Sequence, residues 1–218
     1  MSFNSYHILG YSNAAAMITE ALFKINRGGF QATIVENVET KSTLPFQVKD
    51  AQIESVKHDD WSRPSSGNFI IGVYRPAVKE KVFEFFKSDY QIEAEHYFDL
   101  IYQDAEIAET AAYGKGVFIN PNVVVAPYTR IGKFVTVNRK VSVGHHTVIG
   151  DFCTINPGVN VAGSCNIEKN VTIGMGSNIL DGVSIGENTV IGAGSLVTKD
   201  LPANVVAYGS PAKVIKQL

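Results

Sequence analysis

Between Ile107 and Val197 an aliphatic residue returns at every sixth position: Ile107, Ile119, Val125, Ile131, Val137, Val143, Ile149, Ile155, Val161, Ile167, Ile173, Ile179, Ile185, Ile191 and Val197, with Tyr113 as the interruption. A second column, two residues earlier, holds small side chains such as Ala111, Val123, Thr129, Val141, Thr147, Cys153, Cys165, Ser177 and Ser195. A period of six does not suit a helix, which turns about every 3.6 residues, but it contains the two-residue alternation of a short strand. Each unit therefore reads as a short strand followed by a turn. Pro121-Asn122, Pro127-Tyr128 and Pro157-Gly158 stand two and three positions after an aliphatic residue. Proline presets the first central dihedral of a type II turn, and glycine or asparagine accepts the positive one that follows. Asn170, Gly176, Gly182, Asn188 and Gly194 recur at that second site. Three strands and three corners predict a triangular coil of about eighteen residues, stacked on its copies at about 4.8 Å as a parallel β-helix.

Residues 1–100 lack the repeat and read as a separate small α/β domain, followed by the β-helix over 101–199 and a tail over 200–218. Tyr6 to Leu9 predicts a strand, Gly10 to Asn13 a turn and Ala14 to Lys24 a helix. Ala32 to Val35 predicts a second strand ending at Glu36, and Phe69 to Val73 another. Pro76 then opens a helix with apolar Val78, Val82, Phe83, Phe85 and Phe86, while Asp59 to Gly67 is the most loop-like stretch. Alternating strands and helices suggest a parallel sheet of the mononucleotide-binding kind. In such a sheet the first turn can receive a phosphate and an acid ending the second strand can take a hydroxyl pair, which makes Gly10, Ser12, Asn13 and Glu36 candidate substrate contacts. An ordinary strand-to-helix turn capped by Ser12 or Asn13 is the competing reading.

The runs Ile149-Gly150-Asp151-Phe152, Ile173-Gly174, Ile185-Gly186-Glu187-Asn188 and Ile191-Gly192-Ala193-Gly194-Ser195 resemble the hexapeptide-repeat acyltransferases, whose β-helix is left-handed. With the N-terminal domain and the Gly209-Ser210-Pro211-Ala212-Lys213 tail added, the chain resembles the NeuD/PglD-like sugar acetyltransferases over essentially its full length. That resemblance implies acetyl-CoA as donor, a nucleotide-linked amino sugar as acceptor or sialic acid in one branch, and a homotrimer with the donor between neighbouring prisms. It also implies that His145 is the catalytic histidine, that Gly163 lies by the thioester, and that Gly174, Ala193 and Gly194 line the donor groove. Pro211, Ala212 and Lys213 fall near its nucleotide end, where Lys199 or Lys213 could meet a phosphate. Two departures stand out. The family's glycine-rich turn is Gly10-Tyr11-Ser12-Asn13-Ala14 here, and the acidic residue usual after the catalytic histidine is His146.

Read without the resemblance, His145 sits at the proline site of a corner and points away from the core, and Gly163 follows one coil later. An exposed imidazole beside a side-chain-free backbone suits acyl transfer, since histidine can take a proton from the nucleophile and return it to a leaving thiolate. The alternative is that His145 and His146 are solvated corner residues. His7, His58 and His96 show no constellation. Two adjacent histidines do not provide the three convergent ligands of a metal site, so no metal is expected.

A net charge of −2 argues against nucleic acid as a partner. Met1 to Ser5 shows no targeting pattern and no stretch reaches membrane-spanning length, so a soluble, cytoplasmic protein is expected. Cys153 and Cys165, twelve apart in the inward column, fall on different faces of a three-sided coil and read as reduced structural thiols. Three functions stay open: N-acetylation of a nucleotide-linked amino sugar, O-acetylation of a sugar or sialic acid, and a non-catalytic β-helix that binds a ligand or builds an assembly.

Overall fold

The computed structural model describes residues 4–27, 29–37, 48 and 50–218. Met1, Ser2 and Phe3 of the N-terminal segment lie outside the described residues. Four parallel strands, β1 (Ser5–Leu9), β2 (Phe30–Glu36), β3 (Ala51–Lys57) and β4 (Asn68–Ile71), form one sheet in the order β3-β2-β1-β4. Helix α1 (Ala14–Asn26) packs on the face bearing Tyr6, Ile8, Ala32 and Ile34. Helix α2 (Pro76–Tyr90) packs on the other, against Leu9, Val35 and Phe69.

β3 is the element the hydrophobic pattern does not announce. It is an edge strand whose Gln52 and Glu54 are exposed, so its alternation is largely polar. The apolar face assigned to α2 also needs a correction. Val78 is exposed to solvent, and the buried stripe runs through Pro76, Lys79, Val82, Phe83 and Phe86. The loop-like stretch after β3 is pinned by side chains. Arg63 donates to the Tyr90 carbonyl (3.0 Å), Tyr90 donates its hydroxyl proton to the His58 carbonyl (2.7 Å), and Trp61 packs on Phe69 and Phe86. His58 thus joins a local bracing cluster that its sequence context did not show.

From Leu100 the chain winds into a left-handed parallel β-helix whose two-residue strands pair with those eighteen positions away, as Arg130 does with Val148 and Ile131 with Ile149. The first face holds the strands from Leu100–Ile101 to Val190–Ile191, the second those from Glu106–Ile107 to Leu196–Val197, and the third those from Ala112–Tyr113 to Ser184–Ile185. The aliphatic column from Ile119 onwards and the small column from Val117 onwards are both buried, forming one continuous core. Thr, Ser and Cys recur in the small column for a reason beyond size. Thr129 donates to the Gly144 carbonyl (3.0 Å), Thr147 to Ala162 (2.9 Å), Cys153 to Glu168 (3.0 Å) and Ser177 to Gly192 (2.9 Å). These donors give hydrogen bonds to carbonyls at the start of a corner, and the Gly192 carbonyl also accepts from Ser195 (2.7 Å). Both cysteines are free and buried, and burial pushes the Cys153 thiol up to about 12.

The third residue of each corner has positive φ, from Gly116 (69°) through Asn122 (57°) and His146 (58°) to Gly194 (67°). The turn chemistry of the repeat is thus realised even where the residue is not glycine or asparagine. The C-terminal residues extend the first face: Val205–Gly209 runs parallel to Val190–Ile191 and pairs antiparallel with Ala212–Gln217.

The two parts share a packed junction along α2. Phe83 lies 4.7 Å from Phe134, ring centre to ring centre, and Phe134 stacks on Phe152 at 5.1 Å. Lys79, only 2% exposed, donates to the carbonyls of Phe134 (2.8 Å) and Cys153 (2.9 Å), and Asn170 donates to Glu80 (2.7 Å). Thr154 donates to the Tyr74 carbonyl (2.6 Å), fixing the end of β4 against the first face. Among the described residues no helix is long and apolar enough to cross a membrane.

Candidate functional site

The corner after the second face carries, one coil apart, Pro127-Tyr128, His145-His146, Gly163-Ser164 and Asp181-Gly182. The hydroxyls of Thr129 and Thr147 hold its backbone by bonding Gly144 and Ala162, the residues before His145 and Gly163. The Ser164 N–H donates to the His145 carbonyl (2.8 Å), so the two coils are locked in step.

On this frame the His145 ring lies over Gly163. A Cβ placed on Gly163 would stand 2.7 Å from His145 Cε1, 2.9 Å from Nε2 and 3.0 Å from Asp181 Oδ1. Only glycine leaves the ring its place. The other ring nitrogen, Nδ1 of His145, meets Nδ1 of His146 at 3.1 Å, and the His146 ring packs on Tyr128 at 5.0 Å. One of these two nitrogens must donate and the other accept. With His146 accepting, the His145 proton is on Nδ1 and Nε2, beside Gly163, carries the lone pair.

Asp181 was not singled out from the sequence. The arithmetic that placed Gly163 eighteen residues after His145 reaches Asp181 after a second eighteen, at the same corner. Gly163 itself occupies the site held by proline in Pro127 and Pro157, so the ladder makes no use of an N–H there.

The residues implied as donor lining separate into two groups. Gly163 is on the histidine corner. Gly174, Ala193 and Gly194 are on the corner after the first face, and the hairpin with Pro211, Ala212 and Lys213 reaches that same corner, since Tyr208 Cβ would lie 2.6 Å from a Cβ on Gly192. A single prism keeps the groups a full face apart. Gly174 also has a packing reason to be glycine, because a Cβ there would stand 2.5 Å from the Ala193 nitrogen. Lys199, two coils beyond Gly163 on the histidine corner, is exposed, as is Lys213.

The candidate substrate residues of the first domain lie together at the carboxyl ends of β1 and β2. Ser12 donates its hydroxyl proton to the Gly72 carbonyl (2.7 Å) and accepts from the Ala14 N–H (3.1 Å), so it ties the turn to β4 and caps α1. Gly10 has φ 82° and donates its N–H to Val35 (2.9 Å). Asn13 makes no side-chain capping bond, and Glu36 accepts from Ser55. The same sheet edge brings Tyr74 against Phe118 at 6.1 Å. Its hydroxyl is buried without a partner among the described residues, and burial pushes its pKa up.

Residues 164–199 match the model described as bacterial transferase hexapeptide (six repeats). The sequence has no significant match among the curated proteins. Over the whole chain the structure matches the acetyltransferase domain of PglB from Neisseria gonorrhoeae in complex with acetyl coenzyme A, with a TM-score of 0.80 and 19% identity, over 98% of this chain and 100% of that one. A mutant of perosamine N-acetyltransferase from Caulobacter crescentus, solved with CoA and GDP-perosamine, gives 0.79 at 20% identity over 100% and 99%. WeeI from Acinetobacter baumannii gives 0.79 at 22% identity over 98% and 100%. Fold and repeat define the class: a hexapeptide-repeat left-handed β-helix joined to an α/β domain. The resemblance to the NeuD/PglD-like family holds along the entire chain at the level of the fold.

Proposed function

We propose that this protein is a cytoplasmic, acetyl-CoA-dependent N-acetyltransferase of a nucleotide-linked amino sugar, working as a homotrimer with His145 as general base. The observation that carries the proposal is the His145 ring held over Gly163, in a fold shared along its length with proteins solved with acetyl-CoA, CoA and GDP-perosamine. The acceptor amine attacks the thioester carbonyl while His145 Nε2 takes a proton from it. The Gly163 N–H donates to the oxygen that gains charge, and collapse of the adduct expels the CoA thiolate, to which His145 returns the proton. His146 sets the His145 tautomer through Nδ1, the task an acid performs in the usual pattern.

The split lining supports assembly. Gly163 on one corner and Gly174, Ala193, Gly194, Pro211, Ala212 and Lys213 on another converge only when the histidine corner of one prism faces the first-face corner of the next. In this reading Lys199 and Lys213 are the cations available to the donor's phosphates. Gly10, Ser12, Asn13 and Glu36 mark the edge of the first domain that faces the nucleotide. Ser12 contributes by shaping the turn, since its hydroxyl is already engaged.

Free-thiol release from acetyl-CoA, measured with a panel of nucleotide-linked amino sugars and their hydroxyl counterparts, tests the proposal. Turnover is expected with an amino sugar. Turnover with hydroxyl acceptors alone would assign O-acetylation, and silence with CoA still bound would favour the binding-protein reading. Gly163→Ala is expected to displace the His145 ring and lower kcat by about ten- to a hundredfold. The unfolding midpoint should barely move, because the added methyl meets the tip of an exposed side chain.

A further inference from the structure

Asp181 shares the corner of His145 and borders the same glycine, and its setting differs from that of Asp151, Glu168 and Asp200. Asp151 accepts the Lys133 N–H (2.7 Å), Glu168 accepts the Glu187 N–H (2.9 Å) and Asp200 accepts the Ser184 N–H (2.8 Å), so each closes a backbone donor of a neighbouring coil. Asp181 makes no such bond among the described residues, and it does not pair with His145 either. Its Oδ1 and the Nε2 of His145 instead both crowd Gly163, at 3.0 and 2.9 Å from where a Cβ on that residue would stand. A carboxylate oxygen and an imidazole nitrogen thus flank the Gly163 backbone, close enough for one small group beside that glycine to touch both.

We propose that Asp181 is the residue that selects an amine over a hydroxyl acceptor, by taking a second N–H of the nucleophile while His145 takes the first. This inference rests on the acetyltransferase reading of the same corner. An amine arrives as ammonium, which a carboxylate attracts, and after losing one proton to solvent it still carries two hydrogens. One points to His145 Nε2 and the other to Asp181. As the C–N bond forms and the C–S bond breaks, the proton received by His145 passes to the thiolate, so the products are the amide, CoA thiol and the one proton released beforehand. A hydroxyl has a single hydrogen. With that hydrogen on His145, its oxygen lone pairs face the Asp181 carboxylate and the contact is repulsive.

The test uses the full-length protein and Asp181→Asn, which keeps the side-chain shape at an exposed corner. For the amino acceptor kcat/KM should fall about ten- to a hundredfold, mainly through a higher KM, the loss expected for a charge-assisted hydrogen bond. For the hydroxyl counterpart it should stay the same or rise, and the KM for acetyl-CoA should not change. Equal losses for both acceptors, a shifted acetyl-CoA KM, no effect, or a wild-type preference for the hydroxyl acceptor would each overturn the role of Asp181 while leaving the acetyltransferase reading in place. A wild-type protein that transfers acetyl to neither acceptor would overturn both.

Discussion

His145→Ala is expected to reduce kcat at least ~10²-fold, the usual contribution of a general base, with the fold and CoA binding retained. The two halves of this expectation have separate physical grounds. The side chain is exposed at a corner whose equivalents are Pro127 and Gly163, so the ladder asks nothing of it beyond its backbone carbonyl, which accepts the Ser164 N–H. Removing the imidazole therefore opens no core cavity. The reaction, by contrast, loses both the acceptor for the amine proton and the donor for the thiolate. Initial rates with the best amino-sugar acceptor, beside calorimetric CoA binding and the unfolding midpoint, check it. An unchanged rate would remove His145 from the mechanism, and a lost midpoint would make the corner structural.

The β-helix and its histidine corner were legible because one arithmetic, a step of six within a coil of eighteen, places every residue. The aliphatic column tells which side chains face inward, and the turn sites tell which point outward, so the meeting of His145 with Gly163 follows from counting. Asp181 lay within reach of the same count. His146 is different. Its departure from the expected acid was visible, but its contact with His145 depends on positive φ and on Tyr128 one coil earlier, which together set the ring's direction. The first domain was legible where apolar runs are long and opaque where they are not. β3 shows only half-buried Ala51, Ile53 and Val56 among exposed polar residues, as an edge strand requires. Lys79 shows the deeper limit. Its position on the buried stripe of α2 can be read from its spacing to Pro76, Val82 and Phe83, but a lysine there reads as solvated until the carbonyls of another part of the chain are seen around it.

That lysine leads to the second expectation: the advantage of the native protein over Lys79→Met should grow by roughly 2–3 kcal/mol between pH 6.5 and pH 9, at about 1.4 kcal/mol for each pH unit above the folded pKa. Burial pulls the Lys79 pKa down from 10.5 to about 7. Below pH 7 the amine is protonated in folded and unfolded chains alike, and stability does not respond to pH through this group. Between about 7 and 10.5 the unfolded chain holds a proton that the folded one has released, so raising the pH favours folding. The site is shaped for the neutral amine. Its two N–H bonds go to Phe134 and Cys153 at 2.8 and 2.9 Å, while the longer contact, 3.4 Å, is to the Thr136 hydroxyl, which can turn and donate to the nitrogen lone pair. Methionine fills similar volume but leaves the Phe134 carbonyl without this donor, at a cost of about 1–3 kcal/mol set against the relief of no longer burying a cation at low pH. The two variants should therefore differ least near pH 6.5 and diverge as the pH rises. The Cys153 thiol, held up to about 12 by burial, stays protonated in the folded chain; the opposing slope that arises as the unfolded thiol ionises is common to both proteins and cancels in their difference. Urea unfolding of both proteins at half-unit steps measures the divergence. Parallel stability curves would mean that Lys79 remains an ammonium across the range, held by all three acceptors, and that the junction between α2 and the β-helix is locked by charge rather than by a neutral amine.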